Sequence, residues 1–230
     1  MSIVKQINRQ IQRDIQPHID GERNLTCIVI EWIIQQYLDS TRTALNIGAF
    51  TGRDLDWMLP VCEPISKPIE CVENWYKTPS RSLTQKLEQE IEQLYSHPLV
   101  TWTWADAVEA QSWRSSDFFF STPNLNSLDI FQLMRDLNHS AVWMLPAIHY
   151  ALAPISRLIA SGRIWHLASL NDCHLFTNDE TIYNRWIEDC LLLNNQVKHQ
   201  RLERCGETVR WRSLTQPNFN QWFEKIRANS

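Results

Sequence analysis

The chain has 230 residues, 43% of them hydrophobic and 21% charged, with a formal net charge of −4. That balance is too apolar for a disordered chain, and the weak charge gives no general attraction to nucleic acid or membrane surfaces. No run of about 18 residues is free of charged or strongly polar groups, and Met1-Ser2-Ile3-Val4-Lys5 lacks an apolar core, so neither a membrane span nor a secretory leader is expected.

In chain order, Ile3, Ile7, Ile11 and Ile15 predict an amphipathic helix over residues 2–19 with a narrow apolar stripe. Lys5, Arg9 and Arg13 lie on its other face, which reads as solvated. Asp20-Gly21 ends it. Residues 24–39 are strongly apolar, and their length predicts a buried helix, although the β-branched content leaves a strand open. Thr43–Ile47 is a short apolar run entering the turn Gly48-Ala49-Phe50-Thr51-Gly52, and a helix follows over residues 54–59. Pro60, Pro64 and Pro68 mark a loop.

Pro68–Glu73 reads as a second strand ending in an acid. Leu83, Leu87, Ile91 and Leu94 set a helix over residues 79–96. Leu99–Asp106 reads as a third strand, again ending in an acid, and Asp117–Ser121 as a fourth. A helix over 126–138 precedes a fifth strand, Ala141–Pro146. A helix over 148–161, kinked at Pro154, leads to a sixth, Arg163–Ser169. Residues 178–194 read as a helix, Glu207–Ser213 as an edge strand, and 217–228 as a short helix. This alternation predicts an α/β fold with a mostly parallel sheet covered by helices on both faces. Residues 1–40 form an N-terminal helical extension, a lid or a packing element, and 41–230 the α/β domain.

The six cysteines include no closely spaced pair and several sit in apolar surroundings, as in Thr26-Cys27-Ile28-Val29. They read as small core hydrophobes of a cytoplasmic protein. The nearest metal candidate, Cys173-His174 with His166, lacks a partner pair, so no metal is expected.

The chain has only five glycines, against about 7% in average usage, and Gly48 and Gly52 share one turn. A turn after the first strand of an open α/β sheet is where ligands meet the backbone, outside the carboxyl ends of the strands. The next two strands end in Glu73 and Asp106. A carboxylate after the second strand suits a ribose diol, because it accepts two hydroxyl protons, and one after the third suits an exocyclic amine.

These residues resemble the class I S-adenosylmethionine-dependent methyltransferases. Leu45-Asn46-Ile47-Gly48-Ala49-Phe50-Thr51-Gly52 matches the first motif, Ile69-Glu70-Cys71-Val72-Glu73 the second-strand acid, and Ala105-Asp106-Ala107 the third-strand acid. The resemblance covers residues 43–110; beyond them only the strand–helix rhythm matches. It implies a Rossmann-like fold and S-adenosylmethionine as cofactor. Gly48, Ala49 and Gly52 would line its methionine part, and Glu73 would hold the ribose hydroxyls. Trp75 would cover the adenine, with Asp106 and Ala107 at its edge. Asn46 and Asn74, beside these groups, complete the cofactor-binding set. The family usually has an acid at the position of Asn46 and often a glycine at that of Phe50, which narrows the approach. A dinucleotide dehydrogenase is disfavoured, since Phe50 and Arg53 stand where its fingerprint needs glycines.

Methyl transfer is a displacement in which the protein positions and deprotonates the acceptor. Candidate bases follow the later strands: His149, and Asp172 with Asn171 and His174. Each also has a plain structural role, His149 as a helix-start residue and Asp172 as a turn residue. The expected activity is methylation of an oxygen or nitrogen of a small molecule or peptide, with a homodimer as a candidate assembly. A nucleic-acid substrate is disfavoured by the lack of a basic patch. The competing expectation is a non-catalytic binding or assembly protein on the same fold.

Overall fold

A computed structural model describes Val4 and residues 18–19, 22–23, 25–74, 81–106, 109–110, 112–121, 134, 136–146, 152–170 and 173–189. The chain divides into two compact units, Met1–Leu125 and Asn126–Ser230.

The first unit opens with a short antiparallel ladder, His18–Ile19 against Glu22–Arg23. Helix α1, Leu25–Tyr37, follows as the apolar run predicts. Strand β1 is Thr43–Ile47, helix α2 Leu55–Cys62 and strand β2 Ile69–Val72. Helix α3, Arg81–Leu94, leads to β3, Val100–Thr103, and then to β4, Ser116–Ser121. These four strands are parallel, in the order β3-β2-β1-β4.

Register places Asn46, Cys71, Trp102 and Phe120 in one row on one face of this array. Trp57 of α2 meets Phe120 edge-on at 5.1 Å, and Trp102 packs towards α3, so both helices cover that face. On the other face Leu45, Ile47, Val72 and Phe119 are also buried. Burial on both faces explains why β1, β2 and β4 read as continuous apolar runs rather than alternating ones. Pro60, expected in a loop, lies inside α2. It donates no hydrogen bond, but Trp57, Met58, Val61 and Cys62 are buried around it and carry the helix past it. The expected loop begins only at the turn Glu63–Ile65.

At the opposite end of the strands from the glycine turn, Lys67 is fully buried. Its Nζ lies 2.7 Å from Asp117 Oδ1 and donates to the Asp39 carbonyl at 2.6 Å. Asp117 Oδ2 accepts from the Asp39 N–H at 2.8 Å. Three separate stretches of chain are thereby tied together. Burial raises the Asp117 carboxyl above its ordinary value, against the pull of Lys67.

In the second unit, β5 is Val142–Pro146, α4 is Leu152–Ala160, β6 is Trp165–Leu170 and β7 is Cys173–Thr177. A helix spans 180–189. Strand β7 lies between β5 and β6 and is antiparallel to both. It is absent from the sequence-based expectation, which only placed Asn171, Asp172 and His174 after the sixth strand. Pro154 lies in the first turn of α4, where its missing N–H costs least. The helix expected over 2–19, the strand at 207–213 and the helix at 217–228 fall outside the described residues, apart from isolated positions.

Cys27, Cys62, Cys71 and Cys173 are buried thiols, as expected of core hydrophobes. Burial pushes the Cys62 thiol up to about 12 and raises that of Cys71 further, so both stay protonated. Among the described residues no helix is long and apolar enough to cross a membrane.

Candidate functional site

The site is built where β1 ends. Gly48, Phe50 and Gly52 take left-handed backbone conformations, with φ of 71°, 47° and 77°. The Gly48 and Ala49 N–H groups both donate to the Val72 carbonyl, at 2.9 and 3.2 Å, so the departing chain leans onto β2. Gly52 N–H donates to Ala49 O at 2.8 Å and closes a tight turn around Phe50 and Thr51. Gly52 O then accepts the Leu55 N–H at 3.0 Å and passes the chain into α2. A phenylalanine at positive φ is strained, and the Phe50 side chain stays 37% exposed instead of entering the core.

Glu73 is the first residue beyond β2, and its N–H still bonds the Thr103 carbonyl of β3 at 3.1 Å. Its Oε2 accepts the Phe50 N–H at 2.6 Å and its Oε1 accepts the Asn74 N–H at 3.0 Å. The carboxylate thus ties the loop after β1 to the loop after β2. Burial raises its pKa, and the two backbone donors pull it back. An ionised carboxylate has about four acceptor positions, so two remain for hydroxyl donors.

Asn46, one turn of the strand below, is fully buried. Its Nδ2 lies 4.0 Å from Cys71 Sγ, and its Oδ1 meets no donor among the described residues. An acid here would be a desolvated charge; the amide stays neutral. Asp106 lies three residues past β3, half-buried, and its carbonyl accepts the N–H groups of Glu109 and Ala110 at 3.0 and 2.9 Å.

The structure therefore brings Asn46, Gly48, Ala49, Gly52, Glu73, Asn74 and Asp106 to the carboxyl ends of β1, β2 and β3 in one unit. Trp75, Ala107, His149 and Asp172 lie outside the described residues. The need for glycine at position 52 has a source that the sequence does not show. A Cβ there would stand 2.8 Å from Trp102 Cη2 and 2.8 Å from Tyr95 Cδ2, so the turn rests directly on two aromatic rings. Trp102 and Tyr95 form the surface beneath the turn, and Trp104, whose spacing from Trp102 says only that they share a face, stacks on Trp102.

His174 is not a loop base. It sits within β7, opposite Leu145 of β5 and Ser169 of β6. Burial lowers its pKa to about 4, so it is neutral at physiological pH. Its ring lies 5.9 Å from that of His166, which is itself buried. Among the described residues no group of three or more His, Cys, Asp or Glu side chains is placed to hold a metal ion.

No family model matches the sequence, and no curated protein does either. Solved structures do. The chain is similar to the SAH-bound Podospora anserina methyltransferase PaMTH1, with a TM-score of 0.50 and 10% identity over 76% of this chain and 85% of that one. It is also similar to precorrin-6y C5,15-methyltransferase from Geobacter metallireducens, with a TM-score of 0.45 and 13% identity over 71% and 92% of the two chains. The N-terminal domain of human METTL16 in complex with SAH gives a TM-score of 0.43 and 13% identity over 71% and 74%. At such identities the likeness to the Podospora structure shows the fold: Rossmann-like, of the kind found in methyltransferase structures.

Proposed function

We propose that this chain binds S-adenosylmethionine at the carboxyl ends of β1, β2 and β3. We further propose that it transfers the methyl group to an oxygen or nitrogen of a small molecule or peptide. One observation carries the reading. Glu73 is held by the Phe50 and Asn74 N–H groups at the end of the second strand, beside a turn with three left-handed residues. That donor set fits the group. The carboxylate keeps free acceptor positions for a ribose diol, and the neutral Asn46 adds no second charge beneath the turn. Gly48, Ala49 and Gly52 would line the methionine part, Asn74 and Trp75 would flank the ribose and adenine, and Asp106 with Ala107 would face the adenine edge. When bound, S-adenosylmethionine supplies an electrophilic methyl carbon on a sulfur that leaves as a neutral thioether. The chain's own part is to hold the acceptor in line and to take its proton. His149 and Asp172 are the candidates for that proton.

The second reading is a methyltransferase-fold binding or assembly protein without catalysis. The exposed, strained Phe50 in the turn and the amide at position 46 favour it.

Thermal unfolding with S-adenosylmethionine and with S-adenosylhomocysteine tests the first reading. Either ligand at 100 times its dissociation constant stabilises the fold by about 2.7 kcal/mol. No shift with either removes the cofactor assignment. Binding without turnover of any oxygen or nitrogen acceptor supports the second reading.

A further inference from the structure

The aromatic surface beneath the glycine turn belongs to a larger block. Trp102 and Trp104 stack with centroids 5.1 Å apart and planes 10° apart. Trp104 Nε1 donates to Glu92 Oε1 of α3 at 2.7 Å, which fixes the outer ring. Tyr95, Trp102 and Trp104 all pack against one buried cluster made of Leu87 and Ile91 of α3 and of Val4. Val4, far from the site in sequence, is completely buried there. The block therefore meets both Val4 and Gly52.

We infer that Tyr95 and Trp102 are positioning residues for the glycine turn, and that Val4 completes their support, so that packing at Val4 governs how firmly the turn is held. The physical argument is one of close packing. Contacts too tight for a single added carbon leave the turn no freedom towards the rings. The Phe50 N–H reaches Glu73 only while the turn stays at that height. Removing methyl groups at position 4 leaves a void beneath the rings, lets them settle, and loosens the turn that rests on them. The consequence for ligand affinity rests on the cofactor reading above; the consequence for the turn itself does not.

The experiment uses the full chain, first without ligand. Hydrogen exchange of the 48–55 segment is followed by mass spectrometry in wild type, Val4→Ala and Trp102→Phe. Leu158→Ala, in the buried face of α4, serves as a matched core deletion in the other unit. Val4→Ala and Trp102→Phe speed exchange in that segment by about tenfold, and Leu158→Ala does not. In the same proteins the dissociation constant for S-adenosylhomocysteine rises about 3- to 10-fold for Val4→Ala and stays at the wild-type value for Leu158→Ala. Wild-type exchange at the turn in both Val4→Ala and Trp102→Phe overturns the inference, as does an equal rise in Leu158→Ala. If wild type binds no S-adenosylhomocysteine, the cofactor reading falls while the exchange comparison still decides the positioning role. If wild type binds and Val4→Ala binds equally well, the link from Val4 to affinity falls.

Discussion

The backbone N–H of Phe50 lies 2.6 Å from Glu73 Oε2, so a carboxylate at the end of β2 holds the tip of the turn that follows β1. The same carboxylate takes the Asn74 N–H on its other oxygen. A glutamine can present one acceptor but sets an amide N–H against one of these donors. Glu73→Gln is therefore expected to weaken S-adenosylmethionine binding at least about tenfold, a loss of roughly 1.4 kcal/mol. Isothermal titration measures it, and wild-type affinity in the variant removes Glu73 from the site.

Acid acts on the same residue. Burial raises the Glu73 carboxyl above its ordinary 4.5, so it takes up a proton sooner than an exposed glutamate would as pH falls. Protonation turns one acceptor into a donor, and affinity for the cofactor drops on the acid side. The linkage to stability has the opposite sign. A raised folded pKa gives a contribution that is full below 4.5 and is lost as pH rises through the folded value. Ligand affinity measured from neutral pH into the acid range declines in wild type and is flatter in Glu73→Gln; parallel profiles refute the role.

Two glycines with nearly equal backbone conformation separate strain from crowding. Gly52 has φ +77° and two aromatic carbons 2.8 Å from the site of a Cβ, whereas Gly162 has φ +66° and nothing within 4 Å. Gly162→Ala is expected to lose about 1 kcal/mol from the left-handed backbone alone. Gly52→Ala adds overpacking against rigid rings and is expected to lose about 2–4 kcal/mol in all. Denaturant unfolding compares the two, and equal losses refute the aromatic contact.

Much of the first unit was legible because burial on both faces leaves continuous apolar runs such as Ala44-Leu45 and Phe118-Phe119-Phe120. Glu73 and the paired glycines stood out for a similar reason, since strand ends and turns carry local chemistry. Phe50 was visible only as an obstruction, because its role as a donor lies in the backbone. Strand β7 was hidden. Cys173–Thr177 follows the turn-forming pair Asn171-Asp172 and becomes a strand through pairing with β5 and β6, which no local pattern announces. The contact of Gly52 with Tyr95 and Trp102 spans over forty residues and shows in the sequence only as a glycine in a chain that has few. The pairing of Lys67 with Asp117 was hidden for the same cause, since the two lie fifty positions apart.

That pair gives the next test. Lys67 and Asp117 are both buried, and each is the other's charge partner. Removing one leaves the other charge uncompensated away from water. Lys67→Met alone is expected to lose about 3–5 kcal/mol, while Lys67→Met combined with Asp117→Leu recovers part of it. Additive losses in the double variant, read from denaturant melts, refute mutual compensation.

His174 sets the behaviour of the second unit in acid. Burial holds its pKa near 4 in the folded chain, against an ordinary value of 6.5. Between those values the unfolded chain binds the proton and the folded chain does not. Stability therefore falls as pH drops below 6.5 and levels off once the folded histidine also takes a proton near 4. A difference of this size corresponds to about 3 kcal/mol across the window. The ring lies 5.9 Å from that of His166 in the same hairpin. His174→Phe keeps the planar ring and removes the titration. Unfolding free energies of wild type and variant, measured from pH 7 to pH 4, are expected to fall by less in the variant. A constant gap over that range would show that His174 does not titrate with folding.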